Sequence, residues 1–544
     1  MPRWRRVSLA LSLGAAAILP STGVAVTPSS VPPVLRVFIP GVFAGCSTTS
    51  SGSSEALTDL LSLVRPSAFN INPVGREMGA GGPIASAELI SDDPQIVSLT
   101  IDPRYNWSDG RAFSVNDLIQ RIELGVRSKA LWADGFHRIA RYDITNHRRT
   151  LKIQFAAHYA SWPSMFQGLE ERGTSSSCDL ADVAQRPSLG PYLLESLTPQ
   201  RAVLVANPQF RVRSQQFRTV VLLAGQNASS TVGRPIVDYR YSFSTADLTW
   251  SASLPGRSGK IAPSQRIAAV TFSPRSATTA DIDVRKVLSW SIDRTKIVNS
   301  VFGSVSQALS NASSSLVAQG QTGYPATSSG ASYVNASTST TTAPGAVATA
   351  GSHSFDCVVC ASSIHTATVN FENGRLRWQG QSLYLRLAVG PSDSSFKIAQ
   401  GVIRDWNRIG VSVRVIPVTS DRQASQAVAQ GAVDAAVTTA PSGQIGAVGA
   451  SWYGPRRYDA IDFGWRSAVC TTAAQQAEYD FNATTALSTW GTCDQEIAKQ
   501  FWQRPIVSVP YALQWTNTVV GVVPSNTTRG FLDQIPVWSS LQRR

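Results

Sequence analysis

Apolar residues in the first half of the chain recur mainly at every second position, which is the spacing of strands with one buried face. This pattern predicts strands over Ile96–Ile101, Thr150–Phe155, Tyr192–Leu197, Ala202–Ala206 and Thr219–Ala224. Two stretches instead show helical spacing, one over Glu55–Val64 and one after the capping residue Ser114. The first half is therefore predicted to be a strand-rich α/β unit.

The second half alternates between helix and strand patterns. A broad apolar stripe predicts one long helix over Asp281–Val301, and Asn373-Gly374 between alternating residues predicts a two-residue hairpin turn. A strand, a helix and a strand then follow in order, which predicts a βαβ unit and a mostly parallel sheet. These segments and their extension are Leu383–Val389, Ser394–Ile409, Val411–Val415, Arg422–Gln430 and Ala432–Thr438.

The 544 residues are enough for two large lobes. From Ser304 to Phe355 there is no charged residue and Ser, Thr, Ala and Gly dominate, so residues 304–355 are predicted to be an insertion. The predicted organisation is an export segment at 1–46, a first lobe at 47–250 and a second lobe at 251–504. Residues 505–544, with strands over Val507–Gln514 and Thr518–Val523, are predicted to return to the first lobe.

The charge balance limits the classes of partner. Charged residues make up 15% of the chain, against about 25% in a typical soluble protein. The formal net charge of +13 favours an anionic ligand or surface through long-range attraction. However, the basic residues are dispersed and form no run interleaved with aromatic residues, which argues against a nucleic-acid partner.

The amino-terminal sequence is typical of an exported protein. Three arginines within the first six residues precede the apolar stretch Val7–Pro20. A second apolar run ends in Phe43-Ala44-Gly45-Cys46 and passes into a Ser-rich stretch, which resembles a lipoprotein processing site. Cys46 would then carry the lipid and anchor the protein at the outer face of the cytoplasmic membrane. The alternative is an ordinary signal cleaved near Ala25.

We expect the other five cysteines to form disulfides rather than free thiols, because exported proteins fold in an oxidising environment. Cys470 and Cys493 bracket a polar stretch expected to be a loop, and we expect a bridge between them. Cys357 and Cys360 are expected to form a local disulfide rather than a zinc site, since their surroundings do not resemble a zinc finger. Cys178 is either a buried thiol or a partner of one of that pair. No metal or other cofactor is predicted.

Catalytic constellations do not stand out in the sequence. The five histidines show no paired helical spacing, and Gly449-Ala450-Ser451-Trp452-Tyr453 lacks the last glycine of a nucleophile elbow. Asp281 and Asp283 begin a predicted helix, where the helix dipole favours them without any reaction. The sequence therefore favours a binding protein. A secreted enzyme is the alternative if folding brings a carboxylate pair or a metal site together.

Aromatic residues concentrated in polar loops are the candidate ligand contacts. Trp250, Trp452 and Tyr453 are predicted to line a cleft between the two lobes, and Arg456 is placed to meet a carboxylate or phosphate. The alternative is that the aromatic residues are core residues beneath loops and that Arg456 is a solvated surface residue.

Two stretches carry a family resemblance. Trp107-Ser108-Asp109-Gly110 followed by a helix, and Asp283–Arg294, resemble segments of the family 5 extracellular solute-binding proteins, the receptors of peptide and nickel importers. The resemblance implies an α/β, two-lobed periplasmic-binding-protein-like fold with hinge strands and an extra subdomain on the first lobe. It also implies a ligand bound without catalysis and an ABC-type permease as partner of a monomeric receptor.

Within that family, other stretches resemble a glycolipid-associated mycobacterial lipoprotein. They are Leu63–Phe69, the Cys470 and Cys493 pair, and Val507–Val537. This resemblance implies a phosphoglycolipid ligand or a regulatory contact with a glycolipid-synthesis enzyme of the cell envelope. Peptide-binding members usually carry an Asp in an aromatic segment of the second lobe, but the corresponding Ala440–Gly454 contains no carboxylate. Because a buried ammonium needs an opposite charge, an anionic or neutral ligand competes with an oligopeptide.

Overall fold

The structure is a computed structural model. It describes residues 34–46, 54–71, 77–80, 82–127, 131–171, 179–212, 215–225, 237–250, 256–309, 311–319, 324, 361–362, 364–441, 462–523, 531–532 and 535–540. None of the helices in these ranges combines the length and the apolar character needed to cross a bilayer.

Strands make up most of the framework. In chain order they are β1 (Val34–Pro40), β2 (Phe69–Ile71), β3 (Glu77–Ala80), β4 (Ile84–Asp92), β5 (Gln95–Ile101), β6 (Ile139–Thr145), β7 (Thr150–Phe155), β8 (Tyr192–Thr198), β9 (Arg201–Ala206), β10 (Thr219–Gly225), β11 (Tyr239–Ser242), β12 (Arg257–Phe272), β13 (Val369–Glu372), β14 (Arg375–Trp378), β15 (Gln381–Ser382), β16 (Tyr384–Val389), β17 (Ser412–Pro417), β18 (Ala435–Pro441), β19 (Gln503–Thr516), β20 (Val519–Val520) and β21 (Ser539–Ser540).

Helices cover the faces of these sheets. The α-helices are α1 (Glu55–Val64), α2 (Val115–Arg127), α3 (Leu180–Gln185), α4 (Thr245–Trp250), α5 (Ala277–Ala280), α6 (Ile282–Trp290), α7 (Arg294–Phe302), α8 (Asp393–Arg408), α9 (Asp421–Gln430), α10 (Ala468–Tyr479) and α11 (Ala483–Lys499). Short 3₁₀ helices span Leu131–Arg138, Trp162–Phe166, Gly303–Ala308 and Ile535–Val537.

One ten-stranded sheet runs through both lobes, in the order β17-β16-β18-β12-β19-β11-β1-β10-β9-β8. The parallel strands β17, β16 and β18 belong to the second lobe, and the parallel strands β11, β1 and β10 belong to the first. The long strands β12 and β19 lie antiparallel to each other between the two sets. Because β12 pairs with β18 and β19 pairs with β11, these two strands connect the lobes.

The first lobe is built on α1 and the strands beneath it. Ser54 accepts a hydrogen bond from the Leu57 backbone N at 3.1 Å and caps the helix. The helix then buries one apolar stripe against the sheet, as its residue spacing predicts. That core includes Leu57, Leu60, Leu61, Leu35, Val37, Ile39, Val220 and Leu222.

An extra subdomain on the first lobe contains the four-stranded antiparallel sheet β4-β5-β7-β6 together with α2. The Trp107–Gly110 motif forms a tight turn, in which the Gly110 N donates to the Trp107 carbonyl oxygen at 2.9 Å. The Trp107 side chain is fully buried in the subdomain core. The motif is therefore a structural corner of this subdomain.

The second lobe contains the predicted βαβ unit. β16 and β17 are parallel, and α8 connects them. Trp406 of α8 is fully buried and donates from its indole N to the Leu288 carbonyl oxygen at 3.0 Å, which joins α8 to α6. The predicted hairpin is confirmed, since β13 and β14 pair with Glu372 opposite Arg375 across the two-residue turn.

Two local predictions are wrong. The long helix over Asp281–Val301 is two helices, α6 and α7, because the Asp293 side chain accepts from the Lys296 backbone N at 2.9 Å and caps a new helix start. The polar stretch between Cys470 and Cys493, expected to be a loop, forms most of α10 and α11. Apolar spacing alone did not show either result.

Within residues 1–46, predicted to be an export segment, the structure places a strand of the first lobe. β1 pairs with β10 over its whole length and with β11 on its other side. The first-lobe sheet therefore uses residues that the sequence assigns to export.

Candidate ligand-binding cleft

The carboxyl ends of the parallel strands in the two lobes face one another. β1 and β11 run opposite to β16 and β18 because the antiparallel pair β12 and β19 lies between them. At the carboxyl end of β11, Ser242 pairs with Ala512, which pairs in turn with Ile261 of β12. At the carboxyl end of β18, Pro441 pairs with Arg266 of β12. Ile261 and Arg266 are only five residues apart on β12, so the two carboxyl ends lie at neighbouring levels of the crossing strands.

This arrangement defines a candidate cleft. Ligands of open α/β sheets bind outside the carboxyl ends of the strands. Here two such edges oppose each other, and the turns out of β1, β16 and β17 lead to the starts of α1, α8 and α9 at the same place. A solute between the two edges would contact both lobes.

The two crossing strands are irregular at the level of the cleft. Pro263 of β12 lies opposite Pro510 of β19, and the register shifts before Ile267 pairs with Ser508. Since proline donates no backbone hydrogen bond, the ladder between the strands is interrupted there. Fewer hydrogen bonds hold the two strands together here, so this position is the candidate hinge between the lobes.

Arg266 connects the lobes at the base of the cleft. Its guanidinium forms an ion pair with Glu55, the first residue of α1. The guanidinium carbon also lies 4.8 Å from the centroid of the Phe243 ring. Because the Arg266 and Glu55 side chains remain 27% and 44% exposed, both charges are accessible to a solute.

The second-lobe side of the cleft is polar. Asp421, at the start of α9, accepts from the Thr439 N at 3.2 Å, and the Thr439 Oγ1 lies 2.8 Å from the Ser395 Oγ. Burial raises the pKa of Asp421, although the Thr439 hydrogen bond and the charge of Arg266 both act to lower it. A Cβ at Gly390 would clash with the Asp421 Oδ1, so a larger residue there must displace this carboxylate.

α4 is attached to the second lobe beside the same edge. The Thr245 N donates to the Asp393 Oδ2 at 3.3 Å, and the Lys397 Nζ lies 3.2 Å from that oxygen. Burial acts to raise the pKa of Asp393, but the hydrogen bonds from Thr245 and Lys397 outweigh it and lower the pKa. The ionised Asp393 therefore fixes the start of α4 at the cleft.

A second contact between the lobes joins the extra subdomain to α10. The Arg138 Nη2 lies 2.6 Å from the Glu478 Oε2, and the two side chains are only 14% and 13% exposed. The Ala160 N donates to the Glu478 carbonyl oxygen at 2.8 Å. The His158 ring stacks on Tyr479 with 5.1 Å between centroids. We name Arg138, His158, Glu478 and Tyr479 the clasp.

Most of the predicted ligand contacts lie outside the described residues. Trp452, Tyr453 and Arg456 belong to that part, so their role in binding stays a prediction. Trp250 is the last residue of α4, the helix that Asp393 holds at the cleft, but its side chain is also outside the description.

Sequence reasoning did not find Glu55, Arg266 and Asp421. The ion pair joins positions 211 residues apart, which no local pattern reveals. A usable signal was present, because Glu55 and Asp421 each follow a serine that caps the start of a helix, and the serine before Asp421 lies just after β17. Such a start of a helix lies at the carboxyl edge of a sheet.

The structure describes three of the six cysteines, Cys46, Cys470 and Cys493. The predicted bridge between Cys470 and Cys493 is confirmed, and it joins α10 to α11 with 4.5 Å between the Cα atoms. Cys46, the predicted lipid attachment point, is buried and disulfide-bonded to a partner outside the described residues. Cys178, Cys357 and Cys360 also lie outside them. Within the described ranges, no group of three or more His, Cys, Asp or Glu residues is arranged to hold a metal ion.

Comparison with known families decides the classification. The profile of the bacterial extracellular solute-binding proteins, family 5 Middle, matches residues 82–454. The chain belongs to this family. The match covers the extra subdomain, the crossing strand β12 and most of the second lobe, including the α8 and α9 side of the cleft.

Relatives of this family 5 protein are found among curated proteins and solved structures. The oligopeptide-binding proteins OppA of Mycobacterium bovis and Mycobacterium tuberculosis are 29% identical over 172 residues, which is 29% of this chain and 29% of theirs. The periplasmic EDTA-binding protein EppA has a TM-score of 0.77 at 17% identity, over 96% of this chain and 100% of its own. NikZ from Campylobacter jejuni in complex with Ni(L-His) has a TM-score of 0.73 at 14% identity, over 93% and 99%. AppA from Bacillus subtilis in complex with a nonapeptide has a TM-score of 0.70 at 12% identity, over 95% and 100%. These likenesses establish the two-lobed fold.

Proposed function

We propose that this protein is the extracytoplasmic solute-binding component of an ABC-type importer, and that it encloses its ligand between the lobes without transforming it. The observation that carries this assignment is the pair of opposed carboxyl edges, with interrupted crossing strands between them. A solute that contacts both edges stabilises the closed arrangement, because it binds that arrangement more tightly than the open one.

The proposed ligand class is the oligopeptide. The base of the cleft presents both signs of charge, because Arg266 and Glu55 are paired with each other but stay partly exposed. A ligand carboxylate would approach Arg266 and a ligand ammonium group would approach Glu55, each in competition with that ion pair. One terminus of a peptide fits such a pair, since a carboxyl end meets Arg266 and an amino end meets Glu55. The mycobacterial relatives that carry the name oligopeptide-binding protein support the same class.

A second candidate ligand is an anionic phosphoglycolipid. It is favoured by the absence of any carboxylate from Ala440 to Gly454 and by the net charge of +13. In that case the protein serves envelope glycolipid synthesis, through transport or through a regulatory contact with a synthesis enzyme. A lipid anchor at Cys46 is not included in either candidate, because that cysteine is disulfide-bonded.

The test compares two probes on the same purified protein. The protein is unfolded and refolded to remove bound ligand, then mixed with a library of short synthetic peptides or with phosphatidylinositol mannoside micelles. Calorimetry measures affinity, and small-angle X-ray scattering measures the radius of gyration. We expect peptides to bind and to reduce the radius of gyration.

Two arginine variants connect binding to the cleft. Arg266→Ala should weaken peptide binding about tenfold, which corresponds to one lost charge-assisted hydrogen bond of about 1.5 kcal/mol. Arg466→Ala is the matched control, because Arg466 pairs with Asp462 within the second lobe. Binding of the micelles alone would replace the peptide assignment by the second candidate. A protein that binds neither probe and keeps its radius of gyration would contradict both.

A further inference from the structure

The strand β1 occupies an interior position of the first lobe. It pairs with β10 in parallel over seven residues, from Val34 opposite Thr219 to Pro40 opposite Gly225. Its other edge pairs with β11. Leu35, Val37 and Ile39 are fully buried on one face of the strand. Without β1, the first-lobe sheet would separate into two parts that share no hydrogen bonds.

The residues between β1 and Cys46 are also fixed to the lobe. Phe43 is buried in the same core as α1. Backbone hydrogen bonds tie this turn to three other segments: Gly41 N to Gly225 O at 2.9 Å, Phe43 N to Pro199 O at 2.8 Å, and Ser54 N to Ala44 O at 2.9 Å. A lipoprotein peptidase that cut before Cys46 would remove β1 and these contacts together.

Cys46 itself is placed as a structural residue. It is 1% exposed within the first-lobe core, and it is disulfide-bonded. Its carbonyl oxygen accepts a hydrogen bond from the Arg65 Nη1 at 3.2 Å, and Arg65 is buried beside Glu170. A lipid-bearing cysteine instead needs a free sulfur and an exposed position at the new amino terminus.

We propose that export processing hydrolyses one peptide bond on the amino-terminal side of Val34, and that Cys46 stays in the mature chain as half of a disulfide, with no lipid on its sulfur. The basic start and the apolar stretch Val7–Pro20 supply the elements of an ordinary signal. Small residues suited to cleavage follow that stretch, near Ala25. The mature protein is then not attached to the membrane through Cys46.

The test is a mass-spectrometric map of the mature protein. The full-length gene is expressed with its own export segment in a bacterium that possesses both ordinary and lipoprotein signal peptidases. Trypsin cleaves after Arg36, so a peptide that begins at Val37 and contains an unlipidated Cys46 is the expected product. An amino terminus at Cys46 with a diacylglycerol thioether would overturn the inference. So would a mature chain that still carries residues 1–20.

A cysteine variant gives an independent readout. Cys46→Ser should be exported and cleaved at the same bond as the wild type, with a lower Tm because a disulfide is lost. Cys470→Ser is the matched control, since it removes a bridge far from the processing site. Accumulation of uncut Cys46→Ser precursor, with normal processing of Cys470→Ser, would overturn the inference. If Cys46→Ser fails to fold, the wild-type peptide map still decides.

Discussion

The clasp provides a quantitative test of lobe closure. Replacing Glu478 by Gln keeps the shape of the side chain and an oxygen that accepts from Arg138, but removes the negative charge. Because the extra subdomain and α10 belong to different lobes, their contact must break when the lobes separate. We therefore expect Glu478→Gln to favour the open arrangement and to weaken ligand binding.

The size of the effect follows from burial. An exposed ion pair contributes about 0–1 kcal/mol, whereas a hydrogen bond to a buried charged group contributes about 1.5–3 kcal/mol. Arg138 and Glu478 are mostly buried and 2.6 Å apart, and Gln keeps a neutral hydrogen bond. A loss of about 1–2 kcal/mol is expected, which lowers the ratio of closed to open protein by a factor of about 5–30. The apparent affinity falls in proportion to the closed fraction.

Scattering and calorimetry with the peptide library measure both quantities. Glu478→Gln should need a higher peptide concentration to reach the compact radius of gyration. Asp462→Asn is the matched control, because Asp462 pairs with Arg466 at 2.8 Å within the second lobe and this contact does not change on opening. If Glu478→Gln lowers the Tm but leaves affinity and radius of gyration unchanged, the clasp is a permanent contact and the reasoning is wrong.

Three further outcomes test the fold. Cys470→Ser should lower the free energy of unfolding by about 3 kcal/mol, because its bridge closes a loop with a sequence separation of 23. Thermal unfolding of the variant and of the wild type, both without reductant, measures this, and equal Tm values for the two proteins would contradict it. Burial acts to raise the pKa of Asp434, but the hydrogen bonds from Arg386 outweigh it and lower the pKa. The ionised Asp434 therefore stabilises the fold above the unfolded pKa of about 3.9, and this stabilisation disappears as the pH falls through the lower folded pKa. The loss of unfolding free energy caused by Asp434→Asn, measured by urea unfolding, should shrink on acidification. A loss that stays constant with pH would refute this. Gly390→Ala should lower the free energy of unfolding, measured with urea, by about 1–3 kcal/mol, since the new Cβ must displace Asp421. An unchanged urea midpoint would contradict this and show that the site can relax.

Local structure was well determined by the sequence. Helix α1 has the bounds predicted for it, Glu55–Val64, and the Asn373-Gly374 turn forms because both residues tolerate positive φ. The βαβ unit of the second lobe follows from the order of a strand, an amphipathic helix and a strand. Each of these features depends on residues close together in the chain, so a short window contains the information.

The cleft could not be derived in the same way. The family resemblance implied two lobes and a cleft, but the contacts that build it join Arg266 to Glu55 and Arg138 to Glu478, pairs separated by hundreds of residues. The aromatic residues chosen from loop composition, Trp452 among them, remain predictions. The carboxylates Glu55 and Asp421 were passed over because, in sequence, they resemble ordinary helix starts.

The role of the apolar run before Cys46 is the clearest example of a feature that the sequence left open and that the tertiary structure decided. A short apolar stretch followed by small residues and a cysteine fits a lipoprotein processing site and a buried parallel strand equally well, because both contain mostly apolar side chains. The sequence alone determined that Val34–Pro40 is apolar apart from Arg36, and it predicts an export signal before this run. Only the pairing of β1 with β10 and β11 decided that this run is part of the folded protein, since hydrogen bonding to distant strands is what makes an apolar segment a strand of the core.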